Sequence, residues 1–364
     1  MERIVINKMN YLAQRGYQIT VITTEQKNKS SFFYLNPSIK CIDLNINYGD
    51  DNNKELIVKF IKFIHKQHIH KKRLRKILYK IKADIVISTF GNEINFLSQI
   101  KDGSKKILEI HFSKYFRVQL QRKGWWKLVD LYRSYIDNRK IKQYDKFVVL
   151  TNEDKQFWGN IKNIEVIPNY ISLPLNNTNT SSTENRAIAV GRLSFQKGYE
   201  RMLKAWSIVH EQFPSWKLDI FGEGEEKVKI LSLIKELKLE EVVNLHAPTP
   251  NIQKEYERSS IFLLSSRYEG FPMVLLEAMA YQLPIITFDC KCGPKDLIDN
   301  ETDGILVKEG NINEFANKII ELIKYPEKRK FISHNCTKKI SMFTEEVIMQ
   351  RWIQLFSNII SLSK

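Results

Sequence analysis

The feature that most constrains this chain is a repeated alternation. Short Val/Ile-rich runs alternate with stretches whose apolar residues recur at helical spacing, and the series occurs twice with a polar break between. In the first half, 18–24 (QITVITT), 84–89 (DIVIST), 106–111 (KILEIH), 146–151 (KFVVLT) and 164–167 read as strands. In the second half the strands are 187–190, 217–221, 242–246, 261–265, 285–288 and 305–307. Runs this short and this continuously apolar suit strands buried on both faces of a parallel sheet. Helical periodicity between them, as at 200–212 and 312–323, supplies the crossovers. The pattern predicts an α/β protein of two successive doubly wound units.

The break is residues 168–185 (PNYISLPLNNTNTSSTEN), with two prolines and a run of Asn, Ser and Thr. It divides the chain into 1–170, a linker at 171–185, and a second domain at 186–342, followed by a last helical segment at 343–364. A length of 364 residues fits two domains of ordinary size.

The net charge of +16 is uneven. Residues 1–170 carry 32 Lys and Arg against 16 Asp and Glu, and the remainder carries 25 of each. A basic half attracts an anionic membrane surface, nucleic acid or a phosphorylated acceptor. No recognised DNA- or RNA-binding module is present, so a specific nucleic-acid partner is not expected. Two segments concentrate the charge. Residues 54–82 hold eleven Lys and Arg, three His and one acid, with Leu56, Phe60, Ile61 and Ile64 and then Leu74, Ile77, Leu78 and Ile81 at helical spacing. Residues 114–146 mix basic side chains with Trp125, Trp126, Tyr132 and Tyr135. Two readings stay open: helices packed on the sheet with solvated basic faces, or docking on an anionic membrane. The start of the chain carries no signal-peptide apolar core, and no run approaches the roughly 18 apolar residues of a membrane span. A cytoplasmic protein, peripheral on the membrane, is the expectation. Cys41, Cys290, Cys292 and Cys336 include only one C-x-C pair, which predicts reduced thiols rather than zinc.

Three loops carry chemistry. Gly191-Arg192-Leu193-Ser194-Phe195-Gln196-Lys197-Gly198 follows a strand and precedes a helix, so Arg192 and Lys197 lie where α/β sheets bind ligands. A guanidinium fork and a mobile ammonium suit a diphosphate, although two ordinary surface charges explain them equally well. Gly222 and Gly224 permit close backbone approach to a flat base, or simply make a tight turn. Third comes Glu269-Gly270-Phe271-Pro272-Met273-Val274-Leu275-Leu276-Glu277. Pro272 suits the first helical position, and free N–H groups there hold phosphate oxygens. Glu277 falls in a helix apolar nearly all round, so a buried carboxylate there needs a partner.

These elements, in this order and spacing and followed by FDCKCGPKDLI (288–298), resemble glycosyltransferase family 4. The resemblance spans nearly the whole chain. It implies the GT-B fold, two Rossmann-like domains facing across a cleft, and retaining transfer of a hexose from a nucleotide sugar, a UDP-sugar by expectation. Arg192 and Lys197 would neutralise the donor diphosphate and Glu277 would hold its ribose. Glu269 would orient the sugar, and the backbone around Gly270, Phe271, Met273 and Val274 would touch sugar and phosphate. His111, in LEIHFS, would face the sugar from the first half; a hydrogen-bonded strand-end histidine is the other reading. No cofactor is implied, and the absence of a D-x-D motif predicts no metal site. The acceptor implied is a saccharide, lipid-linked or otherwise membrane-bound, in surface polysaccharide or glycolipid synthesis. A catalytically impaired GT-B relic that binds membrane or polyanion is the competing class. A synthase with a small soluble acceptor is the other enzyme reading.

The chain departs from the family pattern at its start. Residues 1–5 run straight into what looks like the first helix and second strand, without the usual first strand and glycine-rich loop. The expectation is an N-terminally truncated chain, with a sheet that lacks a central strand and leaves apolar edges open. Tyr170 stands where a second proline is common, and Ala247 where glycine is frequent.

Overall fold

A computed structural model describes residues 2–27, 29–51, 53–116, 124–172 and 184–361. The expected linker falls largely outside these residues.

The second half is one six-stranded parallel sheet. In chain order its strands are β7 (Arg186–Val190), β8 (Lys217–Phe221), β9 (Val243–His246), β10 (Ile261–Leu264), β11 (Ile285–Phe288) and β12 (Ile305–Val307), laid side by side as β12-β11-β10-β7-β8-β9. Ile188, Leu218, Phe262 and Ile286 are wholly buried, which is why the runs lack alternation. Helices α5 (Tyr199–Gln212) and α10 (Ile312–Lys324) pack on each other through stripes such as Leu203, Trp206, Phe315 and Ile319.

The first half is divided. Strand β1 (Thr20–Thr23) pairs only with β2 (Lys40–Asp43), while β3 (Ile85–Ser88), β4 (Lys105–Glu109), β5 (Lys146–Val149) and β6 (Ile164–Val166) form a separate parallel sheet in that order. Among the described residues no strand joins β1 to β3, and both are only half-buried. Strand β2, KCID, is absent from the sequence reading because four half-exposed residues give no apolar run. Helix α1 (Glu2–Gln14) and the final helix α12 (Glu345–Ser361) share a core with this sheet. Tyr11 and Leu12 meet Ile107, Val148, Met349 and Trp352 there.

The basic segments depart from simple packing. Residues 56–81 form one helix, α2 (Leu56–Ile81), whose second half buries His70, Leu74 and Leu78. Its first half leaves Leu56, Ile57, Phe60, Ile61 and Ile64 exposed. Helix α3 (Trp125–Ile141) buries Asp130, Asp137 and Ile141 and exposes its aromatic residues.

The halves are clasped by two short helices, α4 (Asn152–Trp158) and α9 (Pro294–Leu297). The Asp296 carboxylate accepts from the backbone N–H groups of Asn152 (2.7 Å) and Glu153 (3.1 Å). Glu153 in turn accepts from the Cys292 N–H at 2.8 Å and lies 3.5 Å from Lys295. Each half thus supplies a carboxylate to free N–H groups of the other.

Candidate active site

The loop between β7 and α5 carries a single 3-10 turn, Phe195–Lys197, which turns Lys197 back over the sheet end. Its Nζ lies 2.7 Å from Oε1 of Glu269, and the Ser266 hydroxyl donates to the same oxygen at 2.6 Å. Lys197 and Glu269, 72 residues apart, thus meet as a shielded ion pair. Arg192 goes elsewhere. Its side chain is exposed and lies 3.6 Å from Glu225, outside the Lys197–Glu269 pair.

Helix α8 (Met273–Ala280) begins one residue later than the sequence predicts. Pro272 is its cap, with ψ of 86°, rather than its first residue. Met273 and Val274, half-buried, then open the helix, where N–H groups lack intrahelical acceptors. Phe271 is buried. Glu277 accepts a hydrogen bond from the Tyr256 hydroxyl at 2.9 Å. Burial holds its carboxyl above the ordinary range, opposed by that hydrogen bond and by the charges of Arg3 and Lys197. Tyr256 lies on α7 (Ile252–Glu257) and stacks on Tyr281, with centroids 5.4 Å apart and planes 8° apart. Neither Tyr256 nor Arg3, on the first turn of α1, was identifiable from sequence. Each approaches Glu277 only through the fold.

The glycines serve packing of a kind the sequence reading did not anticipate. A Cβ on Gly222 would fall 2.0 Å from the Gly191 carbonyl oxygen, and one on Gly224 would fall 2.3 Å from that of Leu193. Their close approach in this structure is to the neighbouring loop. Leu193 N donates to the Glu223 carbonyl at 2.9 Å and locks the two loops together. Beside them His246 stacks on Phe221 and lies 2.6 Å from Asp219.

The halves also touch at Gly270. A Cβ there would come within 2.8 Å of Phe112 Cα and 3.0 Å of the His111 carbonyl oxygen, so only glycine admits the loop after β4. His111 reaches the site through its main chain. Its ring turns inward, with the side chain 4% exposed and Nε2 3.1 Å from Glu109 Oε1, out of line for a hydrogen bond. Lys8 of α1 completes the cluster, ion-paired to Glu109 and 3.8 Å above the Trp352 ring. Burial alone would push the Glu109 carboxyl up, but Lys8 and His111 hold it down at about 2, so it stays ionised. Burial pulls the Lys8 ammonium down. A glutamate inside the buried run KILEIH was the one available signal for this cluster.

Against known proteins, residues 175–339 match the family model of glycosyl transferases group 1. An uncharacterised glycosyltransferase of Haemophilus influenzae is 30% identical over 358 residues, which is 96% of this chain and 94% of that protein. This chain is a glycosyltransferase of that family. The amylovoran biosynthesis glycosyltransferase AmsD of Erwinia amylovora is 37% identical over 230 residues, 59% of this chain and 64% of AmsD. Among solved structures, sucrose-phosphate synthase from Thermosynechococcus elongatus superposes with a TM-score of 0.79 at 17% identity, covering 98% of this chain and 93% of that one. That likeness establishes the fold, GT-B. In this glycosyltransferase the Lys197–Glu269 pair, Glu277 and the start of α8 come from one half of the fold, and the 111–112 backbone from the other.

Proposed function

We propose that the enzyme transfers a hexose, with retention, from a nucleoside-diphosphate sugar to a membrane-linked saccharide in surface polysaccharide or glycolipid synthesis. Uridine as the base follows from the family resemblance alone. The observation that carries the donor reading is the Lys197–Glu269 pair, shielded beside the start of α8 and held against the opposite half through Gly270.

The residues then divide the work as follows. The donor diphosphate competes with Glu269 for Lys197, and the helix start adds N–H donors. Released from Lys197, the Glu269 carboxylate accepts from sugar hydroxyls. Glu277 accepts from the ribose hydroxyls. The bond from the anomeric carbon to the diphosphate oxygen breaks, and its electrons stay on the leaving group beside Lys197. The acceptor hydroxyl attacks from the same face and passes its proton to the departing phosphate. Arg192, exposed on the same loop as Lys197, swings from Glu225 to the diphosphate when donor binds. Similarity to AmsD, a biosynthetic glycosyltransferase, supports the saccharide acceptor, and the charge excess of the first half supports its being held at a membrane.

A panel of nucleotide sugars, scored for nucleotide release and melting shift, tests this reading. One donor should stabilise the protein and be turned over, and Glu269→Gln should lose turnover while keeping the fold. If no donor in the panel binds, the reading fails.

A further inference from the structure

We propose that α2 and α3 together form a docking face for the surface of an anionic lipid bilayer. This deepens the reading above, since it rests on the acceptor being membrane-linked.

The face is built inside out. In water a surface helix buries its apolar stripe and exposes its charges. Helix α3 leaves its apolar stripe in solvent: Asp130 is 2% exposed and Asp137 is buried, while Trp125 is 75% exposed and Trp126, Leu128, Leu131, Tyr132 and Tyr135 also face outward. The first half of α2 presents a second stripe, Leu56, Ile57, Phe60, Ile61 and Ile64, with Ile57 75% exposed. Sequence periodicity left open whether these residues pack on the sheet, and in the fold they do not. One residue between them, Asn95, links the two helices. It donates to Gln67 of α2 at 3.0 Å and accepts from Lys140 of α3.

Charge and composition select the occupant. Helix α2 carries nine Lys and Arg and no acid, and the outward side chains of α3 stand among Lys127, Arg133 and Arg139. A protein partner covering these stripes would have to match this positive field with acids, whereas anionic headgroups supply it everywhere. Trp and Tyr are the residues that settle at the headgroup level, and Lys and Arg beside an apolar stripe are the mark of a helix lying in the interface. Among the described residues no helix is long and apolar enough to cross a membrane, so the face rests on the bilayer.

Flotation of the full chain with phosphatidylglycerol-containing vesicles, and with vesicles of phosphatidylcholine alone, tests this. Binding to the anionic vesicles should be at least tenfold tighter and should weaken as salt is raised. The triple variant Ile57→Glu/Phe60→Glu/Ile61→Glu and the double variant Trp125→Ala/Trp126→Ala should each lose at least tenfold in vesicle binding, with unchanged melting temperature. A blue shift of tryptophan fluorescence on vesicle addition should disappear in the double variant. Equal binding to both vesicle types, full binding by folded variants, or a concentration-dependent dimer that these substitutions abolish would each overturn the proposal. Nucleotide release with a soluble acceptor, measured on the same variants, separates the two readings. Vesicle binding without turnover of any donor sinks the transferase chemistry and leaves the docking face standing. Turnover without vesicle binding sinks the docking face.

Discussion

The Lys197 ammonium and the Glu269 carboxylate lie 2.7 Å apart, so each occupies the other's functional group before a donor arrives. The pair stores the cation in place without leaving a buried charge unpaired. It also means that the two residues act as one unit. Lys197→Met should lower kcat by about 10²–10³, the usual cost of removing one charge stabiliser of a leaving group. Glu269→Gln in that background should add far less than it does alone. Steady-state nucleotide release from the two single variants and the double variant checks this, and fully multiplicative losses would show that the residues act independently.

Burial and Tyr256 act on the Glu277 carboxyl in opposite directions. Burial raises the Glu277 carboxyl above the ordinary range, and the Tyr256 hydrogen bond pulls it part of the way back. In the ribose-binding role proposed for Glu277 the ionised form is the one needed, so donor affinity should fall on acidification with a midpoint above the usual carboxylate value of about 4.3. Tyr256→Phe removes a lowering contact, so the midpoint should move to higher pH and donor affinity near neutrality should drop. Calorimetric titration with UDP at several pH values reads this, and a midpoint that moves to lower pH in the variant contradicts it.

How much of this was legible beforehand depends on where each contact's partner lies in the chain. Ile188, Phe262 and Ile286 announce their strands because a strand buried on both faces needs an unbroken apolar run. Glu269 and Glu277 stood out because one precedes and the other falls within a single apolar helix, a local pattern that the family resemblance matches. The Lys8–Glu109 contact crosses 101 residues, and Tyr256 reaches Glu277 through a separate helix, so neither leaves a local pattern. Helix α3 stayed open for another reason: basic side chains interleaved with Trp and Tyr fit a packed face or an outward one, and only the fold shows Asp130 and Asp137 pointing inward.

The clasp between α4 and α9 should hold the two halves in register. Asp296 caps Asn152 and Glu153 from the other half of the fold. Asp296→Ala should cost about 1 kcal/mol, as loss of a helix cap does. Because the cap spans the halves, the loss should also appear as a larger radius of gyration in small-angle scattering and a raised donor KM. A lower melting temperature with unchanged scattering would mean that Asp296 stabilises its partner helix without holding the halves together.

Lys8 and Glu109 should behave as a pair whose halves cannot be removed separately. Glu109 is buried and its carboxyl is held down at about 2 by Lys8 and His111. Lys8→Met would strand that charge, at a cost of roughly 3–5 kcal/mol. Lys8→Met with Glu109→Leu removes both charges and should recover most of the loss. The pH dependence follows from the same depression. A carboxyl whose folded value lies below its unfolded one stabilises the fold above the unfolded value, and that contribution is lost as pH falls toward the folded one. The wild type should therefore lose stability between the ordinary glutamate value of 4.5 and about 2, and Glu109→Gln should flatten that part of the curve. Urea unfolding of the four proteins across acid pH measures both effects. A double variant as unstable as Lys8→Met alone would show that packing around Trp352, rather than the buried charge, carries the cost.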